Sequence, residues 1–217
     1  MKTFRFLFAI TFSMMVISSI AQDKEKRYHD AMIRNITMLD TAQNSNSVQL
    51  IANNFERIAI AEANKWLPYY YSSYALTRSI YTMKDQSKID EVLDKADRFI
   101  SIADSLQPKN SEIVTVKAFV ASGRIMVNPM VRGAQYGPVS GSLLEEAIQL
   151  DPSNPRPYLL KGSSAFYTPP QWGGGKDKAA KLLQTAMDKY ATFKPADDLA
   201  PNWGEARTKD LLSQCKE

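Results

Sequence analysis

The chain is poor in the two residue types that most often carry catalysis and metal binding. Its 217 residues include one cysteine, Cys215, and one histidine, His29. A single cysteine excludes an intramolecular disulfide, and a lone histidine without a surrounding ligand pattern excludes the common zinc motifs. The glycine run Gly173–Lys176 lacks the spacing and the hydroxyl residue of a P-loop, and no nucleophile-elbow motif is present. We therefore predict no metal site, no cofactor and no enzymatic activity.

Long apolar runs are also scarce, and the clearest one lies at the N terminus. Residues 1–21 begin with Lys2 and Arg5, continue through a mostly apolar stretch and end in Ala21. This order is typical of a secretory signal peptide cleaved after Ala21. The apolar stretch is shorter than the roughly 20 residues that span a bilayer. We predict a periplasmic or secreted protein with no stable membrane span after cleavage.

Little excess charge of either sign remains once this segment is removed. The full chain has 27 Lys and Arg against 23 Asp and Glu, a net charge of +4. Loss of Lys2 and Arg5 leaves 25 basic residues against 23 acidic ones, a net charge of +2. The remaining charges alternate in sign, which is typical of solvated helix faces. We therefore predict no nucleic-acid partner.

Apolar residues recur at spacings of three and four along most of the chain, which predicts one all-α domain over residues 22–217. The clearest stripe runs from Ile89 to Leu106. The Gly- and Pro-rich stretches 128–138 and 168–175 are predicted to be loops. The predicted helices cover residues 23–42, 47–64, 67–83, 87–106, 110–127, 139–150, 155–167, 176–193 and 202–215.

Four of these helices carry the spacing found in the second helix of a tetratricopeptide repeat (TPR). The pattern is a small residue, a bulky apolar residue four later, alanine three after that, and proline five beyond. The chain is similar to this family, although its helix-ending prolines lie 40 and 44 residues apart rather than the usual period of about 34. The matching sets are Ala96, Ile100, Ala103 and Pro108; Ser140, Leu144, Ala147 and Pro152; Glu56, Ile60, Ala63 and Pro68, with one departure; and Ala179, Leu183 and Ala186.

Two loop segments extend the resemblance. The proline–aromatic–glycine stretch 168–175 and the segment 201–206 resemble a sub-group of exported bacterial TPR-like proteins. The resemblance covers the chain from residue 47 to residue 215. It implies a right-handed α-solenoid of about four helix pairs with a C-terminal capping helix, whose curved surface binds peptides or proteins.

The most unusual local feature is the aromatic stretch from Trp66 to Tyr81. Trp66, Tyr70 and Tyr74 follow one another at steps of four and share a helix face, while Arg78 and Tyr81 lie partly round from it. These five residues are the candidate binding residues, because tyrosines combine contact area with a polar group. The alternative interpretation is that the tyrosines form the core between paired helices.

Two functions follow. The first is a non-catalytic exported TPR-like protein that binds a protein or peptide of the bacterial envelope as a scaffold or adaptor. The alternative is a small-ligand-binding component associated with an uptake system, with a Tyr-rich pocket closed by the 128–138 loop. An open concave face with exposed tyrosines favours the first, and a closed pocket of several hundred cubic ångströms favours the second.

Overall fold

A computed structural model of the chain describes the backbone of residues 2–216 and the side chains of residues 22–216. This part contains nine α-helices and no strand, which confirms the all-α prediction. The predicted signal peptide, residues 1–21, lies outside the described side chains. Short 3₁₀ segments occur at Ile80–Thr82, Gln86–Lys88 and Pro170–Trp172. The α-helices are α1 (Lys2–Thr41), α2 (Ser45–Ala61), α3 (Trp66–Ser79), α4 (Ile89–Leu106), α5 (Ser111–Ile125), α6 (Pro129–Leu150), α7 (Pro155–Tyr167), α8 (Lys176–Tyr190) and α9 (Glu205–Gln214).

Four helices begin after an asparagine that caps the helix. The side-chain oxygens of Asn44, Asn110, Asn128 and Asn154 accept hydrogen bonds from backbone N–H groups at the starts of α2, α5, α6 and α7. Asn44, for example, accepts from the Ser47 N–H at 2.9 Å. Such caps satisfy N–H groups that have no partner within the helix, so they fix where each helix starts.

The prediction of a loop over residues 128–138 is wrong, because this stretch forms the first half of α6. Asn128 caps the helix and Pro129 occupies its first turn, where proline is tolerated. Pro138 lies inside the helix and removes one backbone hydrogen bond. The carbonyl left without that bond belongs to Ala134, an exposed residue, so water can replace the missing donor.

The helices form two layers. Each helix contacts the next one along the chain, and each odd-numbered helix also contacts the next odd-numbered helix. The odd-numbered helices α1, α3, α5, α7 and α9 therefore form one continuous layer. Small residues allow the helices to approach closely: a Cβ atom added at Gly162 of α7 would lie 2.7 Å from the Leu183 side chain of α8. The small residues of the TPR-like spacing are fully buried at Ala96, Ala103, Ala147, Ala179 and Ala186.

The connection between α8 and α9, residues 191–204, crosses the odd-numbered layer, and we call it the strap. Its side chains and backbone contact α1, α3 and α7. It therefore joins the two ends of the helix stack. Among residues 22–216, no helix is both long and apolar enough to span a membrane.

Candidate functional site

The strap covers the middle of the tyrosine-rich helix α3. Trp203 of the strap donates its Nε1–H to the Tyr70 Oη at 2.8 Å and stacks on the Tyr74 ring, with centroids 4.4 Å apart. The Tyr71 hydroxyl donates to the Leu199 carbonyl at 2.9 Å. Because the three tyrosines are buried, a segment of the chain itself occupies much of the aromatic surface that the sequence places on α3.

A buried ion pair between Arg156 and Glu112 holds the strap against the helices. Arg156 of α7 is fully buried, and its Nη1 lies 2.8 Å from the Glu112 Oε1 of α5. Arg156 also donates to the Pro201 carbonyl, and its guanidinium lies 4.6 Å from the Phe193 ring centroid and 5.5 Å from that of Trp203. Arg156 therefore joins the helix layer to both ends of the strap.

Burial also sets the protonation of the groups around this ion pair. Desolvation raises the pKa of Glu112, and the Arg156 charge opposes that rise. Tyr70 donates its hydroxyl to the Glu112 Oε2 at 3.2 Å, and burial raises the pKa of Tyr70 well above its ordinary value. Burial of Glu112 and of Tyr70 therefore disfavours a further negative charge between the strap and the helices.

The candidate binding residues occupy two kinds of position. Tyr70 and Tyr74 are buried, and Trp66 is half-buried with its ring edge-on to Tyr70 at 5.6 Å. Arg78 donates to the Leu39 carbonyl at 2.6 Å and to the Ala42 carbonyl, at the C-terminal end of α1. Tyr81 is different, because 48% of its surface is exposed.

Tyr81 belongs to a group of side chains that we call the concave cluster: Tyr81, Phe119, Ser122, Tyr167 and Arg207. The Tyr81 ring stacks on Phe119 at 5.6 Å with an interplanar angle of 11°. The Arg207 Nη2 donates to the Tyr167 hydroxyl at 2.6 Å, and 64% of the Tyr167 surface is exposed. The first contact joins the 3₁₀ segment after α3 to α5, and the second joins α9 to α7.

The Tyr81 hydroxyl is influenced by other members of the cluster. Burial raises the pKa of Tyr81 to about 12, while Ser122 and Arg207 act in the opposite direction and Tyr167 adds to the rise. The raised pKa disfavours the phenolate form of Tyr81.

The concave cluster suits a flat, partly apolar molecule with an anionic group. Aromatic rings bind planar molecules by stacking and edge contacts. Arg207 supplies a guanidinium, the group that pairs with carboxylates through parallel hydrogen bonds. It already forms one exposed ion pair, with Asp210 of the same helix, so a ligand carboxylate would share or replace that partner. Among the residues with described side chains, no group of three or more His, Cys, Asp or Glu side chains is arranged to hold a metal ion.

The single histidine and the single cysteine do not belong to the concave cluster. The His29 Nε2 lies 2.8 Å from the Asp198 Oδ2 of the strap, and this hydrogen bond raises the pKa of His29. Burial raises the pKa of Cys215, which disfavours the thiolate.

Of the concave cluster, only Tyr81 is among the candidate binding residues named from the sequence. Phe119, Tyr167 and Arg207 come from three different helices, and none stands in an unusual local pattern. The one local signal in the sequence was the position of Tyr167. It is the last residue of the helix and comes just before a proline-rich turn.

Comparison with known proteins gives one informative likeness. No protein-family model and no curated protein matches the chain. Among solved structures, the chain is similar to the HusA haemophore from Porphyromonas gingivalis, with a TM-score of 0.78 and 35% sequence identity. The likeness covers 87% of this chain and 92% of that chain. The two proteins therefore share their fold along nearly their whole length.

Proposed function

Because the chain belongs to the family of the HusA haemophore, we propose that it is an exported binding protein for haem or for a similar planar, carboxylate-bearing ligand. The observation that carries the proposal is the 35% identity over 92% of the haemophore chain. It supports the small-ligand alternative over the binding of a protein or peptide. It also supports export, with a signal peptide over residues 1–21 and one mature domain over residues 22–217.

The strap gives a second reason to prefer a small ligand. An extended peptide in a helical solenoid needs an open concave surface. Here Trp203 and Leu199 of the strap already contact Tyr70 and Tyr71 on that surface. Tyr81 and Tyr167 of the concave cluster remain exposed, and their aromatic rings suit a planar molecule. We propose that the strap, rather than the 128–138 segment, limits the ligand site.

We propose that the cluster holds such a ligand through its ring and its carboxylates. Tyr81 and Tyr167 contact the ring, and Arg207 pairs with a carboxylate. Because the Tyr81 hydroxyl keeps its proton at neutral pH, it is a weak candidate for an iron-bound phenolate. Metal-free protoporphyrin is therefore expected to bind in the same site as haem. In this proposal the protein is a non-catalytic carrier. Its helix pairs form a right-handed solenoid of TPR type.

A porphyrin titration tests the proposal. Residues 22–217 are titrated with haem and with metal-free protoporphyrin, and binding is followed by the porphyrin absorbance band. Replacing Tyr81 and Tyr167 together by alanine removes two aromatic contacts and is expected to weaken binding by about tenfold or more. The control is Tyr136→Ala, which removes a half-exposed tyrosine on α6 that packs under Arg124.

The outcomes separate the alternatives. Saturable binding by the wild type and Tyr136→Ala, with weakened binding by the double variant, supports the proposal. Equal affinity in all three proteins shows that the ligand binds outside the concave cluster. Absence of porphyrin binding by the wild type contradicts the proposed function itself.

A further inference from the structure

A second open groove lies between α1 and α2, apart from the concave cluster. Its volume is about 350 Å³, within the range of roughly 300–1,000 Å³ typical of small-molecule sites. The residues from α1 are spaced three and four apart, so they line one face of that helix. The groove is lined by Ala31, Arg34, Asn35 and Met38 of α1 and by Asn54, Arg57 and Ile58 of α2.

The groove is fixed at its base and apolar along its walls. The Asn54 Nδ2 donates to the Asn35 Oδ1 at 2.9 Å, and the Asn35 Nδ2 donates to the Ala31 carbonyl at 2.8 Å. These bonds join the two helices and occupy the polar atoms of Asn35, which is buried. Met38, with 41% of its surface exposed, and the half-buried Ile58 supply apolar contact.

The two arginines of the groove have no acidic partner among the residues with described side chains. Most arginines with described side chains pair with a carboxylate, as Arg124 does with Asp94 at 2.8 Å. Arg34 and Arg57 are exposed and have neither an ion pair nor a side-chain hydrogen bond among the residues with described side chains. Two unpaired guanidiniums beside an apolar groove are complementary to an anion that carries an apolar body.

We propose that this groove is a binding site for a small amphiphilic carboxylate, separate from the concave cluster. The lining residues of α1, from Ala31 to Met38, extend over about 10 Å of helix. An apolar body of about that length packs along Met38 and Ile58, and its carboxylate pairs with Arg34 and Arg57. The inference does not depend on porphyrin binding at the concave cluster.

A matched pair of fluorescent probes tests the inference. Residues 22–217 are titrated with 1-pyrenebutyrate and with the corresponding alcohol, 1-pyrenebutanol. The acid is expected to bind more tightly than the alcohol, since only the acid can pair with guanidinium groups. The double variant Arg34→Glu/Arg57→Glu is expected to lose about tenfold or more in affinity for the acid. The control is Arg98→Glu, because Arg98 is an exposed arginine of α4 that also lacks an ion-pair partner in the described part of the chain.

Each possible outcome either supports the proposed groove site or overturns it. Weaker binding of the acid by the double variant alone, with unchanged helical circular dichroism, supports the site. Equal binding of acid and alcohol, absence of acid binding by the wild type, or equal loss in Arg98→Glu overturns it. Weakening by replacement of Tyr81 and Tyr167, with none in the arginine double variant, places the probe at the concave cluster and also overturns it. Loss of haem binding in the arginine double variant would show that the groove is not a separate site.

Discussion

Replacing Arg156 by methionine tests whether the buried ion pair holds the strap. Methionine has a similar length and an apolar end, so it fills most of the space. It cannot pair with Glu112 or donate to the Pro201 carbonyl, and it carries no charge toward Phe193 and Trp203. The substitution therefore removes the anchor with little change in volume.

The expected loss of stability is large, because Glu112 keeps its negative charge in a buried place. The Glu112 side chain is 15% exposed and Arg156 is 0% exposed. Removing one member of such a pair costs about 3–5 kcal/mol. For a chain of this size the melting temperature falls by about 2–4 °C per kcal/mol, so we expect a decrease of about 6–20 °C. The matched control is Arg132→Met, which breaks a more exposed pair with Asp90 and is expected to cost much less.

The loss is also expected to depend on pH. Desolvation already raises the pKa of Glu112 in the folded protein, and removal of Arg156 takes away the charge that opposes this rise. A carboxyl with a raised folded pKa stabilises the fold fully below its unfolded pKa, and that contribution is lost as the pH rises through the folded value. The Arg156→Met variant should therefore be closer in stability to the wild type at about pH 5 than at about pH 8.

Urea unfolding followed by far-UV circular dichroism at the two pH values measures both effects. The additional change Glu112→Gln in the Arg156→Met background removes the buried charge and should restore part of the stability at high pH. If Arg156→Met costs no more than Arg132→Met, the strap is not anchored by this ion pair. If its cost is the same at both pH values, the Glu112 charge is not the cause of the loss.

Two further predictions concern packing and the surface. Gly162→Ala places a Cβ 2.7 Å from Leu183, so we expect a loss of about 1–3 kcal/mol in urea unfolding, whereas Gly141→Ala meets no atom within 4 Å and should be neutral or slightly stabilising. A destabilised Gly141→Ala with an unaffected Gly162→Ala would contradict the helix contacts described here. Asp198→Asn removes the main cause of the raised pKa of His29, so an NMR titration should show that pKa fall toward its ordinary value; an unchanged pKa would mean that the strap does not contact α1 at this point.

The helices could be predicted from the sequence because their causes are local. The stripe from Ile89 to Leu106 specifies a one-sided helix, and α4 has those bounds. Asn154 and Pro155 mark the start of α7 in the same way. The first half of α6 was not predicted because glycine and proline are unfavourable inside helices. The helix tolerates Pro138 because the carbonyl that loses its hydrogen bond, that of Ala134, belongs to an exposed residue.

The candidate site could be predicted only in part, because it depends on contacts between distant residues. Trp203 bonds to Tyr70 across 133 positions, and no local pattern reveals that pairing. The helical spacing correctly groups Tyr70 and Tyr74 on α3, but it cannot show that a strap covers them. Tyr81 lies about two turns beyond Tyr74, in the 3₁₀ segment that follows α3, and it is exposed.

Proton–nitrogen NMR spectra of residues 22–217 with and without diamagnetic zinc protoporphyrin test the central claim most directly. If the cluster binds a planar ligand, saturable shifts are expected at its backbone amides: Tyr81, Phe119, Ser122, Tyr167 and Arg207. Amides on the outer face of α4, such as those of Asp97 and Ser101, should remain unchanged. Shifts confined to the α1–α2 groove, or no saturable shift at all, would contradict the claim that the concave cluster binds a planar ligand.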